Sequence, residues 1–240
     1  MKFRLECHGV LESTSSLVKQ RAEEAAAEGL AIQALRQSAG RGRQGRGWDS
    51  PAGNLYLSLL LRPAVLLRDA PQWSFVAAVA LAETLNALLP KAATLKLKWP
   101  NDLLLQGAKA AGILVETGIA PSHALDWICI GIGVNIMSKP SLPDRPTACL
   151  AEYLAAPPAP EALAQSLLES LAHWHGIRLH QGFAPIREAW LLHAPAMGAA
   201  ISLKRDGALL EGAFAGLSPE GGLLLAKDNE VQLILAGEIM

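Results

Sequence analysis

Cysteine is scarce in this sequence, and its three copies, Cys7, Cys129 and Cys149, lie far apart. An odd number with no C-x-x-C pair argues against a disulfide framework and against the common zinc sites. Cys129, inside "DWICIGIGV", reads as a small buried hydrophobe. Net charge is missing too: 21 basic residues face 22 acidic ones, leaving −1. That balance speaks against a general polyanion binder and confines any anion binding to a local cluster. No apolar run is long enough for a membrane span. The most apolar window, "WSFVAAVALAETLNALLP" (73–90), is interrupted by Glu83, Thr84 and Asn86 and reads as a core helix. The N-terminal "MKFRLECHGV" lacks a secretory-type apolar run. Neither G-x-S-x-G, H-E-x-x-H nor a P-loop occurs, and there are no repeats. These absences lead to the expectation of a soluble cytoplasmic protein.

What is present is a chain of 240 residues, half of them apolar. That suffices for one large domain, or for about 190 residues plus a small second unit. Residues 15–28 have helix-forming composition, with Gly29 placed to end the helix. Strands are predicted at 30–37 and 53–63, the latter from Leu55, Leu57, Leu59 and Leu61 in alternation. A helix is expected at 72–89. In "TLKLKWPNDLLL" (94–105), Leu95, Leu97 and Trp99 share one face, Lys96 and Lys98 the other, and Pro100 breaks the run into two strands. "AAGILVETGI" and "DWICIGIGVNI" read as further strands, and Gly131 and Gly133 within the second predict close approach by another group. Helices follow at about 160–179 and 183–193. From residue 200 onward, short strands joined by the turn signals "RDG", "SPEGG" and "KDN" predict a compact all-β unit, a small barrel. The predicted fold class is α+β, with helices packed on a mostly antiparallel sheet.

Four stretches carry candidate chemistry. "AGRGRQGRGWDSP" (39–51) contains G-x-G-x-x-G, yet a strand follows where a dinucleotide turn requires a helix. Three readings remain: a mobile basic surface loop, an RGG-like nucleic-acid segment, or a loop that folds over a small anion. In the third, glycines turn backbone N–H groups toward the ligand, and Arg41, Arg43 and Arg46 supply forked donors. In "KWPNDLLL", Asn101 and Asp102 lie just past a strand end, where loop side chains commonly face a site; a plain turn explains them equally. Lys109, in "GAKAAGILVE", either shields two approaching anions or is simply solvated, and Gly112 admits a close neighbour. Asn135 emerges from a strand in "GIGVNI". His173, His175 and His180 sit near one predicted helix without a metal-ligand partner at the right spacing and read as structural.

Taken in order, "STS" (13–15), "RQSAGRGRQGRGWDSPAGNLYLSLLLRP" (36–63), "KWPNDLLLQGAKAAGILVE" (98–116) and "GIGVNI" (131–136) closely resemble the bacterial biotin protein ligases, or biotin–[acetyl-CoA-carboxylase] ligases. The resemblance runs from about residue 8 to 150, loosens through 160–193, and returns in the C-terminal β unit. It implies a catalytic domain over 1–194, with the mixed, mostly antiparallel sheet of the class II aminoacyl-tRNA synthetase and biotin ligase type. An SH3-like β-barrel over 195–240 is implied to follow. It also implies an ATP-dependent ligase that makes biotinyl-5′-AMP and transfers biotin to one lysine of a biotin carboxyl carrier protein domain.

By the same resemblance, Ser13, Thr14, Ser15 and Gln37 bind the ureido ring of biotin. Gly40, Arg41, Gly42 and Arg43 form a loop that closes over biotin and the adenylate, beside Gly112. Lys109 and Arg43 are the catalytic pair. Arg43, Arg46, Asn101, Asp102, Lys109 and Asn135 lie at ATP, with Asp102 as a ligand to Mg²⁺. Three departures from the family's usual pattern stand out: Ser15 replaces an Asn, "TACL" (147–150) replaces "ATSL", and Ser218 stands where an acidic residue is common. Only 12 residues precede Ser13, so the expectation is the ligase-only form with no DNA partner and no membrane partner. A homodimer formed through the sheet is a further implication. A lipoate or octanoate ligase shares the fold, but its substrate would leave a polar ureido pocket unpaired.

Overall fold

The computed structural model describes residues 1–143, 145–205, 208–228 and 230–239. Strand β3 (Leu55–Leu61) is buried along its whole length, and its alternation sorts two faces. Leu55, Leu57, Leu59 and Leu61 point into the main core, while Leu60 packs with a second cluster on the opposite face and Tyr56 and Ser58 share its parity. Around β3 run β1 (Arg4–Leu11), β2 (Leu30–Gln37), β4 (Leu95–Lys98), β5 (Asp102–Leu105), β6 (Ala108–Ile119) and β7 (Leu125–Val134). They form one seven-stranded sheet in the order β1-β2-β3-β7-β6-β5-β4. Only β1 and β2 pair in parallel; every other neighbour is antiparallel.

Helices cover both faces. On one lie α2 (Gln72–Asn86), α3 (Pro160–Gln181) and α4 (Ala184–Leu192), around Trp73, Phe75, Leu81, Leu167 and Trp190. On the other lies α1 (Thr14–Glu23), whose Val18 and Ala22 pack on Ile32, Leu60, Trp127 and Cys129. Because α1 is short, it covers only part of its face, and the uncovered part becomes a pocket. The helix stops well before Gly29, earlier than its composition predicts. Ala25 takes a left-handed φ of 61°, and Arg62 braces the helix end, donating to the carbonyls of Ala22 at 2.6 Å and Ala26 at 3.1 Å.

The all-β unit consists of β8 (Ala200–Arg205), β9 (Ala208–Leu217), β10 (Leu223–Lys227), β11 (Glu230–Ile234) and β12 (Glu238–Ile239). They form an antiparallel sheet in the order β11-β10-β9-β8-β12. Phe214, Leu217, Leu223 and Ile234 from this sheet belong to the same apolar cluster as α2 and α4. Trp99 Nε1 donates to the carbonyl of Gly221 at 3.1 Å and ties the two sheets. Ser218 organises its own turn, accepting from the N–H groups of Glu220 and Gly222 at 3.3 and 3.1 Å. The predicted turns "RDG" and "KDN" centre on Asp206, Gly207 and Asn229, outside the described residues. No described helix is long and apolar enough to cross a membrane.

Candidate active site

The face that α1 leaves open holds a pocket of about 530 Å³. Its floor is polar. Ser13 is the N-cap residue of α1 but makes no capping bond, so its hydroxyl is free to face the pocket. Thr14 donates to Gln37 Oε1 through both its N–H (2.8 Å) and its hydroxyl (3.1 Å). Ser58 lies 2.8 Å from the Thr14 hydroxyl and 2.9 Å from that of Ser15. Ser13, Thr14, Ser15 and Ser58 are all buried, and buried hydroxyls and amides in such number persist where a polar ligand completes their bonds.

One wall is an indole on glycines. The Trp48 ring lies so close to β6 and β7 that a Cβ at Gly133 would fall 2.6 Å from it, and one at Gly112 3.0 Å. Gly131 makes room in the same way for the Ser15 hydroxyl, 2.7 Å from where its Cβ would stand. The close approach predicted at Gly131 and Gly133 is therefore real, and the approaching groups are the protein's own.

Strand register delivers Lys109. Gly112 faces the pocket, and strict alternation would turn Lys109, three residues earlier, to the opposite side. A bulge intervenes: Leu103 pairs with Ala111 while Leu104 pairs with Lys109, leaving Ala110 unmatched. Lys109 is thereby re-aimed onto the face of Gly112 and Asp102. Its ammonium sits 2.6 Å from Asp102 Oδ1, an ion pair whose alignment falls short of a hydrogen bond, and 5.5 Å from the Trp48 ring. Asp102 is 4% exposed, with Arg145 at 3.8 Å and Lys98 at 4.0 Å. Burial pushes the Lys98 ammonium below its ordinary pKa, with Asp102 opposing and Arg145 and Lys109 reinforcing.

The loop over the pocket is tied down at several points. Arg43 donates to Asn101 Oδ1 at 3.2 Å, and Asn101 donates to the Ile113 carbonyl at 2.7 Å. Arg41 reaches Glu116 at 3.6 Å, which also pairs with Lys19 at 2.6 Å. Arg46 forms a fork with Glu238, at 3.1 and 2.8 Å, and Arg145 holds the same carboxylate at 2.5 Å. Burial opposes the Glu238 charge, but these two guanidiniums outweigh it and hold the carboxyl down at about 2. Asn135 acts as a stitch, donating to the Ala148 carbonyl at 3.0 Å and fastening residues 147–150 beside Lys109. The end of the pocket around Asp102 thus gathers Arg43, Arg46, Lys98, Lys109 and Arg145 against Asp102 and Glu238. Such an excess of fixed cations suits an anionic ligand.

This arrangement has known counterparts. Residues 9–135 match the model of the biotin/lipoate A/B protein ligase family. The chain belongs to that family. As a family member it is 39% identical to the biotin–[acetyl-CoA-carboxylase] ligase of Paracoccus denitrificans, over 87% of this chain and 88% of that one. It is 32% identical to the bifunctional ligase/repressor BirA of Bacillus subtilis, over 97% of this chain and 72% of that one. The biotin protein ligase from Aquifex aeolicus in complex with biotin and ATP superposes with a TM-score of 0.81 at 26% identity, covering 99% and 97% of the two chains.

Among the residues that the family resemblance singled out, Ser13, Thr14, Ser15, Gln37, Arg41, Gly42, Arg43, Arg46, Asn101, Asp102, Lys109, Gly112 and Asn135 all line the one pocket. Gly40 lies behind its wall, where a Cβ would meet the Trp48 carbonyl at 2.4 Å and the Ser50 hydroxyl at 2.5 Å. Sequence reasoning did not reach Trp48, Ser58, Arg145 or Glu238, which also line it. Trp48 had a signal, since bulky approach at strand glycines needs a bulky partner. Glu238 had none: it arrives from the second sheet, 192 residues away from Arg46.

Proposed function

We propose that this protein is a biotin protein ligase. It activates biotin with ATP to biotinyl-5′-AMP and transfers biotin to a lysine of a biotin carrier protein such as that of acetyl-CoA carboxylase. The observation that carries this is the two-ended pocket: a floor of buried hydroxyls and an amide at one end, a cluster of cations around Lys109 at the other, joined along the Trp48 wall. A fused ureido ring supplies N–H donors and a carbonyl acceptor to Ser13, Thr14, Ser15, Ser58 and Gln37. The ring of lipoate offers none of these and would leave the Ser13 hydroxyl and the second Gln37 Nε2 hydrogen unpaired.

In the first step a biotin carboxylate oxygen bonds to the α-phosphorus of ATP, the bond from that phosphorus to the bridging oxygen breaks, and pyrophosphate leaves. Two anions must meet, and Lys109 with Arg43 shields them; fixed charge at the forming bond is the protein's main contribution. The loop at 40–47 keeps water from the mixed anhydride. In the second step the neutral amine of a carrier lysine attacks the acyl carbon, AMP departs with the bonding pair, and the nitrogen gives up one proton to solvent as the amide forms. Mg²⁺ belongs to this reading as a companion of ATP. With Lys98, Lys109 and Arg145 within 4.0 Å, Asp102 offers one carboxylate and no resident cage. That suits an ion held mostly by phosphates and water. Residues 1–194 act as the biotin- and ATP-binding domain and 195–240 as an SH3-like companion whose Glu238 reaches the loop. Incubating the protein with ATP, labelled biotin and a carrier domain tests this: label should appear on one carrier lysine, and its absence would overturn the assignment.

A further inference from the structure

Donor counting on the pocket floor gives a hydrogen-bond chain with a fixed direction. The Thr14 N–H donates to one end of the Gln37 side chain, so that end is the carbonyl oxygen, and the other end is the NH₂. The Thr14 hydroxyl spends its single hydrogen on the same oxygen. Between Thr14 and Ser58 the donor must therefore be Ser58, and between Ser58 and Ser15 it must be Ser15. On the other side, Gln37 Nε2 donates to the Ser50 hydroxyl at 2.9 Å, and Ser50 donates onward to the carbonyl of Trp48 at 2.8 Å. Every link runs the same way, from the floor of the pocket to the backbone of the residue whose indole forms its wall. One Gln37 Nε2 hydrogen is left to face a ligand. Ser50 is 5% exposed and lies outside the pocket lining. Trp48 closes the loop's stem as well, its N–H donating to the Gly40 carbonyl at 2.9 Å.

We propose that Ser50 is a positioning residue that couples occupation of the pocket floor to the seating of the 40–48 loop. Among the described residues its hydroxyl is the one side-chain link between Gln37, which meets the ligand, and the Trp48 carbonyl, which fixes the indole wall and the loop's exit. A ligand that takes the free Gln37 hydrogen holds the amide in its present orientation, and through Ser50 it holds Trp48. The proposal rests on the biotin ligase reading for the identity of that ligand. It goes further by naming how the ligand's presence reaches the arginines.

The test uses trypsin, which cleaves after Arg41, Arg43 and Arg46, on the full chain. In the unsubstituted protein, saturating biotin should slow cleavage in this loop by about tenfold or more, through a lower population of open loop. Ser50→Ala should still bind biotin by calorimetry, yet at saturation gain less than about twofold protection. Equal protection in Ser50→Ala and the parent overturns the coupling while leaving the function assignment standing. Failure of the parent itself to bind biotin overturns the assignment instead. If Ser50→Ala does not fold, Ser50→Cys decides the matter, because its thiol keeps nearly the size of the hydroxyl but donates and accepts only weakly. It should bind biotin without protection, and full protection in it refutes the proposal.

Discussion

The Trp48 wall yields a sharp prediction at Gly133. A methyl added there would stand 2.6, 2.7 and 2.8 Å from Cε2, Nε1 and Cζ2 of the indole. Carbon–carbon contact needs about 3.5 Å or more, so the ring must retreat by about 1 Å. It cannot slide along the sheet without meeting Gly112, whose own Cβ position is 3.0 Å from the ring, and its backbone is held at both N–H and carbonyl. The indole must therefore swing outward, away from the ligand. A misplacement of about 1 Å costs about 100-fold in a site whose groups must align. Stability is expected to change little, since Ala is at least as favourable as Gly in a strand interior and the displaced ring is only half-buried. Gly133→Ala should thus weaken biotin binding by one to two orders of magnitude, measured by titration calorimetry, with a melting temperature within a few degrees of the parent. Unchanged affinity in a folded variant would refute the idea that the indole's position on the glycines shapes the pocket.

Lys109→Ala should cut single-turnover formation of the adenylate by about 100- to 1,000-fold, the usual cost of losing one preorganised charge. Arg145 and Lys98 still face Asp102, so the variant should fold, and near-normal adenylation would show the lysine's role misassigned. Arg43→Ala should release biotinyl-AMP faster in a filter-retention assay, and unchanged retention would count against the loop as a lid. Glu238 is held at about 2 against an ordinary 4.5. Its depressed pKa stabilises the fold fully above about pH 4.5, and that stabilisation is lost as pH falls toward 2. The contribution is at most about 3 kcal/mol, reduced by solvent screening at half-exposed Arg46. Urea unfolding at pH 7, 5 and 3 should show a flatter pH dependence for Glu238→Gln, and identical slopes would contradict the clamp.

Strands with one clear apolar stripe were legible from sequence: Leu55, Leu57, Leu59 and Leu61 alternate into the main core although both faces of β3 are buried, and from Leu95 to Trp99 burial itself follows the alternation. Strand β1 carried no such signal. It is an edge strand, half-exposed, and its partner β2 lies beyond a helix, so only tertiary pairing defines it. The early end of α1 was hidden because Arg62, distant in sequence, braces it. In the site, motif residues were legible as a set, whereas their geometry was not. That Lys109 faces Asp102 depends on one unmatched residue, Ala110, and bulges leave little trace in composition. Glu238 and Arg145 join the pocket through contacts between remote segments, which no local pattern encodes.

The central claim, that the polar floor is built for biotin and the cationic end for ATP, meets its most direct test in ATP–pyrophosphate exchange with the purified protein. Exchange should depend on added biotin and should not be supported by lipoate. Exchange driven by lipoate in place of biotin, or none with either acid, would contradict the account.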